Sequence, residues 1–176
     1  MPVSTDWFYG RLEFRRDDKM PDMKRIFRPG AIGAMMDELE RATLELLSVI
    51  EPLQAEDYAK IRDELTKDEN CRSIQTIFSH VVSAGHGYAN YIRKACSMES
   101  VPYRKRPLSL QETSARIREM LQYTVTTLEG RWVMSDEEIQ SFVIDTNWSV
   151  RYDLEQLLEH AIVHVLRHRR QIERWL

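Results

Sequence analysis

A chain of 176 residues is long enough for one domain with its own core and short for two. Its 43% hydrophobic and 30% charged residues suit a soluble globular protein, and its longest apolar stretch, about six residues from Ala31 to Met36, falls far short of the roughly 20 that span a bilayer. Lys and Arg number 25 against 28 Asp and Glu, so the net charge is -3 with a pI near 6.0, and neither a nucleic-acid nor a membrane partner is expected.

The opening residues carry acidic side chains from Asp6 onward and lack the apolar core and small-residue cleavage site of a secretory signal, so a cytoplasmic location is expected. Cys71 and Cys96 are too few for a disulfide framework and are not spaced as a metal-binding pair; two free thiols are expected.

Residues 1–30, punctuated by Pro2, Pro21 and Pro29, read as an arm ahead of the fold, with Met20 and Met23 as candidate alternative starts. Ile32, Met35, Met36, Leu39, Leu46 and Ile50 then recur at three- and four-residue steps, predicting a helix over 31–51 that Pro52 ends. A polar stretch over 54–70 holds a short helical turn around 58–65. The second long helix runs from about Ser73 to Met98 and buries Ile74, Ile77, Phe78, Val81, Val82, Tyr88, Tyr91, Ile92 and Ala95.

A third helix opens at Ser109 with Glu112 three residues on, a reciprocal capping pair that satisfies two free backbone donors, and continues to Gly130 at its C-terminal end. Ser135 and Glu138 form a second such pair in the mixed region 131–152, where Asn147-Trp148-Ser149 predicts a turn and no strand pattern is seen. The last helix starts at the cap Asp153, with Gln156 in the reciprocal position, and runs to the C-terminus. The fold class expected is all-α, a four-helix bundle over 31–176 with a long connection before the last helix.

His80, His86, His160, His164 and His168 are the only histidines, and the last three form an H-x3-H-x3-H ladder on the last helix. The buried stripe of that helix comprises Leu154, Leu157, Leu158, Ala161, Ile162, Val165, Leu166, Ile172 and Leu176. At about 100° per residue, His168 lies roughly 50° from the centre of the stripe, His164 roughly 90° and His160 roughly 130°. On the second helix His80 lies about 95° from the stripe centre and His86 about 145°, a solvated position. His80, His164 and His168 are therefore the three able to meet in a groove between helices. Three neutral imidazoles suit Zn or Ni with a position left open, although i, i+4 histidines also occur as plain surface or core residues.

The C-terminal run LLEHAIVHVLRHRRQIERWL resembles the last helix of the DinB/YfiT-like family of metalloenzymes, four-helix bundles with one ligand histidine on the second helix and two, four residues apart, on the last. His168-Arg169-Arg170-Gln171-Ile172 matches the segment that follows the family's second paired ligand, and SIQTIFSHVVSAG matches its second-helix segment. The resemblance implies His80, His164 and His168 as ligands of a divalent metal, Zn or Ni, with His160 as an outer neighbour or a surface residue. Arg170 replaces the usual glycine, and Arg167 stands where a histidine often precedes the second ligand, so the rim is bulkier and more basic than the pattern.

What the resemblance implies is metal-dependent chemistry on a small molecule, a thiol S-transferase or a hydrolase, with a low-molecular-weight thiol as cosubstrate. No general base is identified. Asp153 is accounted for as a cap, Glu159 lies on the solvated side, and Arg169 and Arg170 read as complements to the helix dipole more readily than as anion clamps. Tyr88, Tyr91, Trp132, Trp148 and Trp175 are the aromatic residues available to a pocket, though at helical spacing such residues usually belong to the core. A homodimer is expected as the commonest closed assembly. The competing reading is a non-catalytic dimeric bundle that serves as a binding or stress-response scaffold, its histidines incidental.

Overall fold

The computed structural model describes residues 27–176, so most of the arm expected over 1–30 lies outside the described residues. The elements in chain order are helix α1 (Gly30–Ser48), the short α2 (Ala55–Ala59), a 3-10 turn (Glu69–Cys71), α3 (Ile74–Ala95), α4 (Leu110–Leu128), the short α5 (Asp136–Gln140), strands β1 (Ile144–Asp145) and β2 (Arg151–Tyr152), and α6 (Leu154–Glu173). The fold is all-α apart from that small antiparallel pair.

Three of the four long helices start at caps with reciprocal hydrogen bonds. Ser109 accepts from the Glu112 N–H and Asp153 from the Gln156 N–H, as the sequence predicts. Ser73 does the same with Thr76, a pairing the Glu/Gln signature does not reveal. The start of α1 is held differently. The Arg28 N–H donates to Asp37 Oδ2 at 2.9 Å, the Arg28 guanidinium pairs with Asp37 and Glu40, and it lies 5.7 Å from the Trp132 ring. Gly30, at φ +73°, sits so close to the Trp132 carbonyl that a Cβ would lie 2.0 Å from its oxygen, so only glycine fits.

The helices pack so that α1 meets α6 and α4, while α3 meets α4 and α6. Ile32, Met36, Phe78, Ile117, Leu157 and Ile172 are among the fully enclosed side chains between them. Gly85 of α3 leaves room for the Met120 side chain of α4, where a Cβ would stand 2.3 Å from Met120 Sδ.

Four expectations need correction. The short helix after Pro52 is α2, which starts three residues ahead of 58–65 and overlaps it only at Tyr58 and Ala59, because Asp63 Oδ1 accepts from the N–H groups of Leu65 and Thr66 and turns the chain, while Ile61 pairs with Ser73. The connection before α6 contains a β-hairpin, whose two-residue strands are too short to show alternation. Leu166, Leu176 and Ala95 are exposed, the first and last at the edges of their stripes and Leu176 beyond the end of α6. His86 is half-buried, its ring stacked on Tyr103 at 4.4 Å with an interplanar angle of 8°, because the loop after α3 folds back over the helix.

Candidate metal centre

His80 is carried in the middle of α3, and His164 and His168 lie one turn apart on α6. Because α3 and α6 pack directly, the three rings meet. His80 Nε2 lies 2.9 Å from His164 Nε2, and His164 Nε2 lies 3.2 Å from His168 Nε2. One ligand atom from each residue falls within a 4.8 Å cluster, and no other such group of three or more His, Cys, Asp or Glu donors occurs among the described residues. Ring planes cross at 68° to 82°, so the imidazoles fan around a common point instead of stacking.

Electrostatics reinforce this geometry. Burial, followed by repulsion from His168, pushes His80 down to about 4, and the same causes push His164 down to about 3. His168, the most enclosed of the three at 8% exposure, is also lowered by burial, partly offset by its bond to Gln171. At neutral pH the site is thus three uncharged rings with nitrogen atoms converging. Lone pairs so close repel unless a proton or a cation stands between them. Tetrahedral Zn–N bonds of about 2.0–2.1 Å place donor atoms roughly 3.3 Å apart, close to the two spacings observed.

Gln171 sets the direction of the His168 ring. With its Oε1 3.2 Å from His168 Nδ1, the imidazole donates through Nδ1 and leaves Nε2 with a free lone pair facing the cluster. Tyr88 packs edge-on against His164, with centroids 5.8 Å apart. Asp68, on the loop before α3, favours the charged forms of His80 and His168 weakly and accepts a hydrogen bond from Cys71 Sγ at 3.5 Å.

Beside the cluster opens a cavity of about 560 Å³ that both His80 and His164 line. The N–H of Asn147, at the hairpin tip, donates to the Tyr91 hydroxyl at 3.0 Å, and the neighbouring Trp148 joins the cavity wall against Tyr91. His160 stands apart from the three-nitrogen cluster. Its Nδ1 is 3.2 Å from the Tyr152 hydroxyl and its ring stacks on Trp148, which makes it part of the cavity wall.

The structure therefore brings together the three histidines chosen from the sequence and leaves His86 and His160 outside the cluster. Arg169 pairs with Glu173 and Glu45, Arg170 is exposed, Asp153 caps α6 and Glu159 faces solvent. Cys71 and Cys96 are free. Sequence reasoning named Tyr88, Tyr91 and Trp148 without assigning them to the site, and it gave Gln171 no role beyond its place in the motif. The i+3 spacing of Gln171 from His168 was the available signal for the latter.

No helix among the described residues is long and apolar enough to cross a membrane. Comparison with curated proteins finds no match. The model of the DinB family matches residues 26–176, a span that contains every helix described and all three clustered histidines, and on that match the chain belongs to the DinB family.

Proposed function

We propose that His80, His164 and His168 hold one divalent ion, Zn or Ni, and that the protein uses it in a thiol-transfer or hydrolysis reaction on a small molecule. The single observation that carries this reading is the convergence of three uncharged Nε2 atoms at the edge of an open cavity. A structural site is more often closed by four protein ligands, typically including cysteine, whereas three imidazoles beside open space leave a position for a reacting group.

Bound there, such an ion would supply Lewis acidity and favour the deprotonated form of a water or thiol. The chain's own contribution is positional. Gln171 fixes the His168 tautomer, Tyr88 packs against the His164 ring, and the cavity admits a substrate to one side of the cluster. A low-molecular-weight thiol is the proposed cosubstrate and a homodimer the proposed assembly.

Elemental analysis of untagged protein tests the reading, with the parent compared against His80→Ala and His164→Ala. About one Zn or Ni per chain, lost in both variants while helical content is kept, is expected. A parent that takes up no metal after reconstitution at neutral pH overturns the proposal and leaves the scaffold reading in its place.

A further inference from the structure

The cavity beside the histidine cluster is walled by rings. Tyr88, Tyr91, Tyr103, Trp148 and His160 all line it, and they meet one another mainly edge to face. Tyr91 stands at 87° to Trp148 with centroids 5.6 Å apart, Tyr88 at 84° and 6.2 Å, and Tyr88 at 81° to His160 and 5.6 Å. Among the described residues that line it, none is Asp, Glu, Lys or Arg. An ammonium group would find no carboxylate partner in this wall.

Several of the wall's polar atoms are already engaged. Asn90 donates from Nδ2 to the Val101 carbonyl at 3.0 Å and accepts from the Tyr123 hydroxyl at 2.6 Å, the Tyr91 hydroxyl accepts from the Asn147 N–H, and His160 Nδ1 is paired with the hydroxyl of Tyr152, behind the wall. What the wall offers a ligand is π surface, arranged as aromatic side chains prefer to meet a further ring. Ring cages of this kind also attract organic cations, but a divalent ion on three uncharged imidazoles would repel one. The floor is kept clear by Gly87, in the middle of α3, where a Cβ would meet no atom within 4 Å.

We propose that this cavity takes a planar aromatic ring, packed against Tyr88, Tyr91 and Trp148, with the ring's substituent directed at His80 and His164. The substrate class is thus an aryl compound that carries no cationic group. The proposal rests on the metal reading for its chemistry and on the cavity alone for its selectivity, so the two are separable by experiment.

The probes are p-cresol, its saturated counterpart 4-methylcyclohexanol, and choline as the cation. Each is titrated into the full-length protein, metal-loaded and metal-stripped, with metal content measured in the same samples. Binding is read from the Trp148 indole N–H resonance, assigned with Trp148→Phe. The expected result is that p-cresol binds at least about tenfold more tightly than either other probe. Titration calorimetry, which does not depend on the indole, should show Trp148→Ala weakening p-cresol about tenfold. Gly87→Leu should abolish its binding while the thermal midpoint holds or rises, since glycine is a poor helix former and leucine a good one. Equal binding of cresol and its saturated counterpart, tighter binding of choline, or cresol binding unchanged in a folded Gly87→Leu each overturns the proposal. A protein that holds no metal yet binds p-cresol in this pattern refutes the metal reading and leaves the aromatic site standing. One that holds metal and ignores p-cresol does the reverse.

Discussion

Gln171 shows how one neutral side chain governs a charged chemistry. Its Oε1 accepts from His168 Nδ1, and without that acceptor the ring is free to turn or to carry its proton on the nitrogen that faces the cluster. Gln171→Leu, similar in volume and unable to accept, should lower metal affinity by about 10- to 100-fold with little change in fold. Competition against a chromogenic chelator measures it, and an unchanged affinity would mean that packing alone orients the imidazole. At this scale the three clustered histidines were legible because spacing and helical angle both single them out. The aromatic wall was not, because Tyr88 and Tyr91 fall at the same period as core residues and Trp148 arrives from a turn in another part of the chain. His86 was misread for the same kind of reason: its partner Tyr103 lies in a loop, and helical angle says nothing about loops.

At the scale of elements, the caps were the most readable feature. A serine or aspartate followed three residues later by Glu or Gln marks the starts of α4, α5 and α6, and each forms the reciprocal bonds expected. The box at Ser73 escaped because threonine replaces the longer acidic or amide residue. Ser109→Ala should cost about 1 kcal/mol, and for a domain of this size that lowers the thermal midpoint by roughly 2–4 °C. Because Ser109 sits at the start of α4 and not on either helix that carries a clustered histidine, metal content should be unaffected. A scanning calorimetry trace and a metal assay on the same sample check both halves of that statement. The hairpin formed by β1 and β2 left no trace in the sequence beyond its turn, since two residues per strand cannot establish an alternating pattern.

At the scale of the molecule, all five histidines shift in one direction, each lowered chiefly by burial, with Asp68 opposing the shift at His80, Gln171 and then Asp68 opposing it at His168, and Glu119 opposing it at His86. The folded chain therefore resists protons that the unfolded chain accepts below its ordinary histidine value of about 6.5. Stability of the metal-free protein should be fully present above pH 6.5 and fall as pH drops toward 4, where His80 begins to titrate in the folded state. Urea midpoints of chelator-treated protein at pH 7.5 and 5.5 check this, and a flat profile contradicts it. His80→Gln combined with His164→Gln should flatten the slope, since those two are displaced furthest, to about 4 and about 3.

The nearest pair of cluster nitrogens comes from residues 84 positions apart, with the exposed stretch from Glu99 to Pro107 largely on the surface between them. A single backbone cut in that stretch would leave His80 on one piece and His164 with His168 on the other. Neither fragment alone would own three donors. Metal retention by the nicked protein would then count reassembled molecules, turning the centre into a reporter of whether its two halves can find each other again.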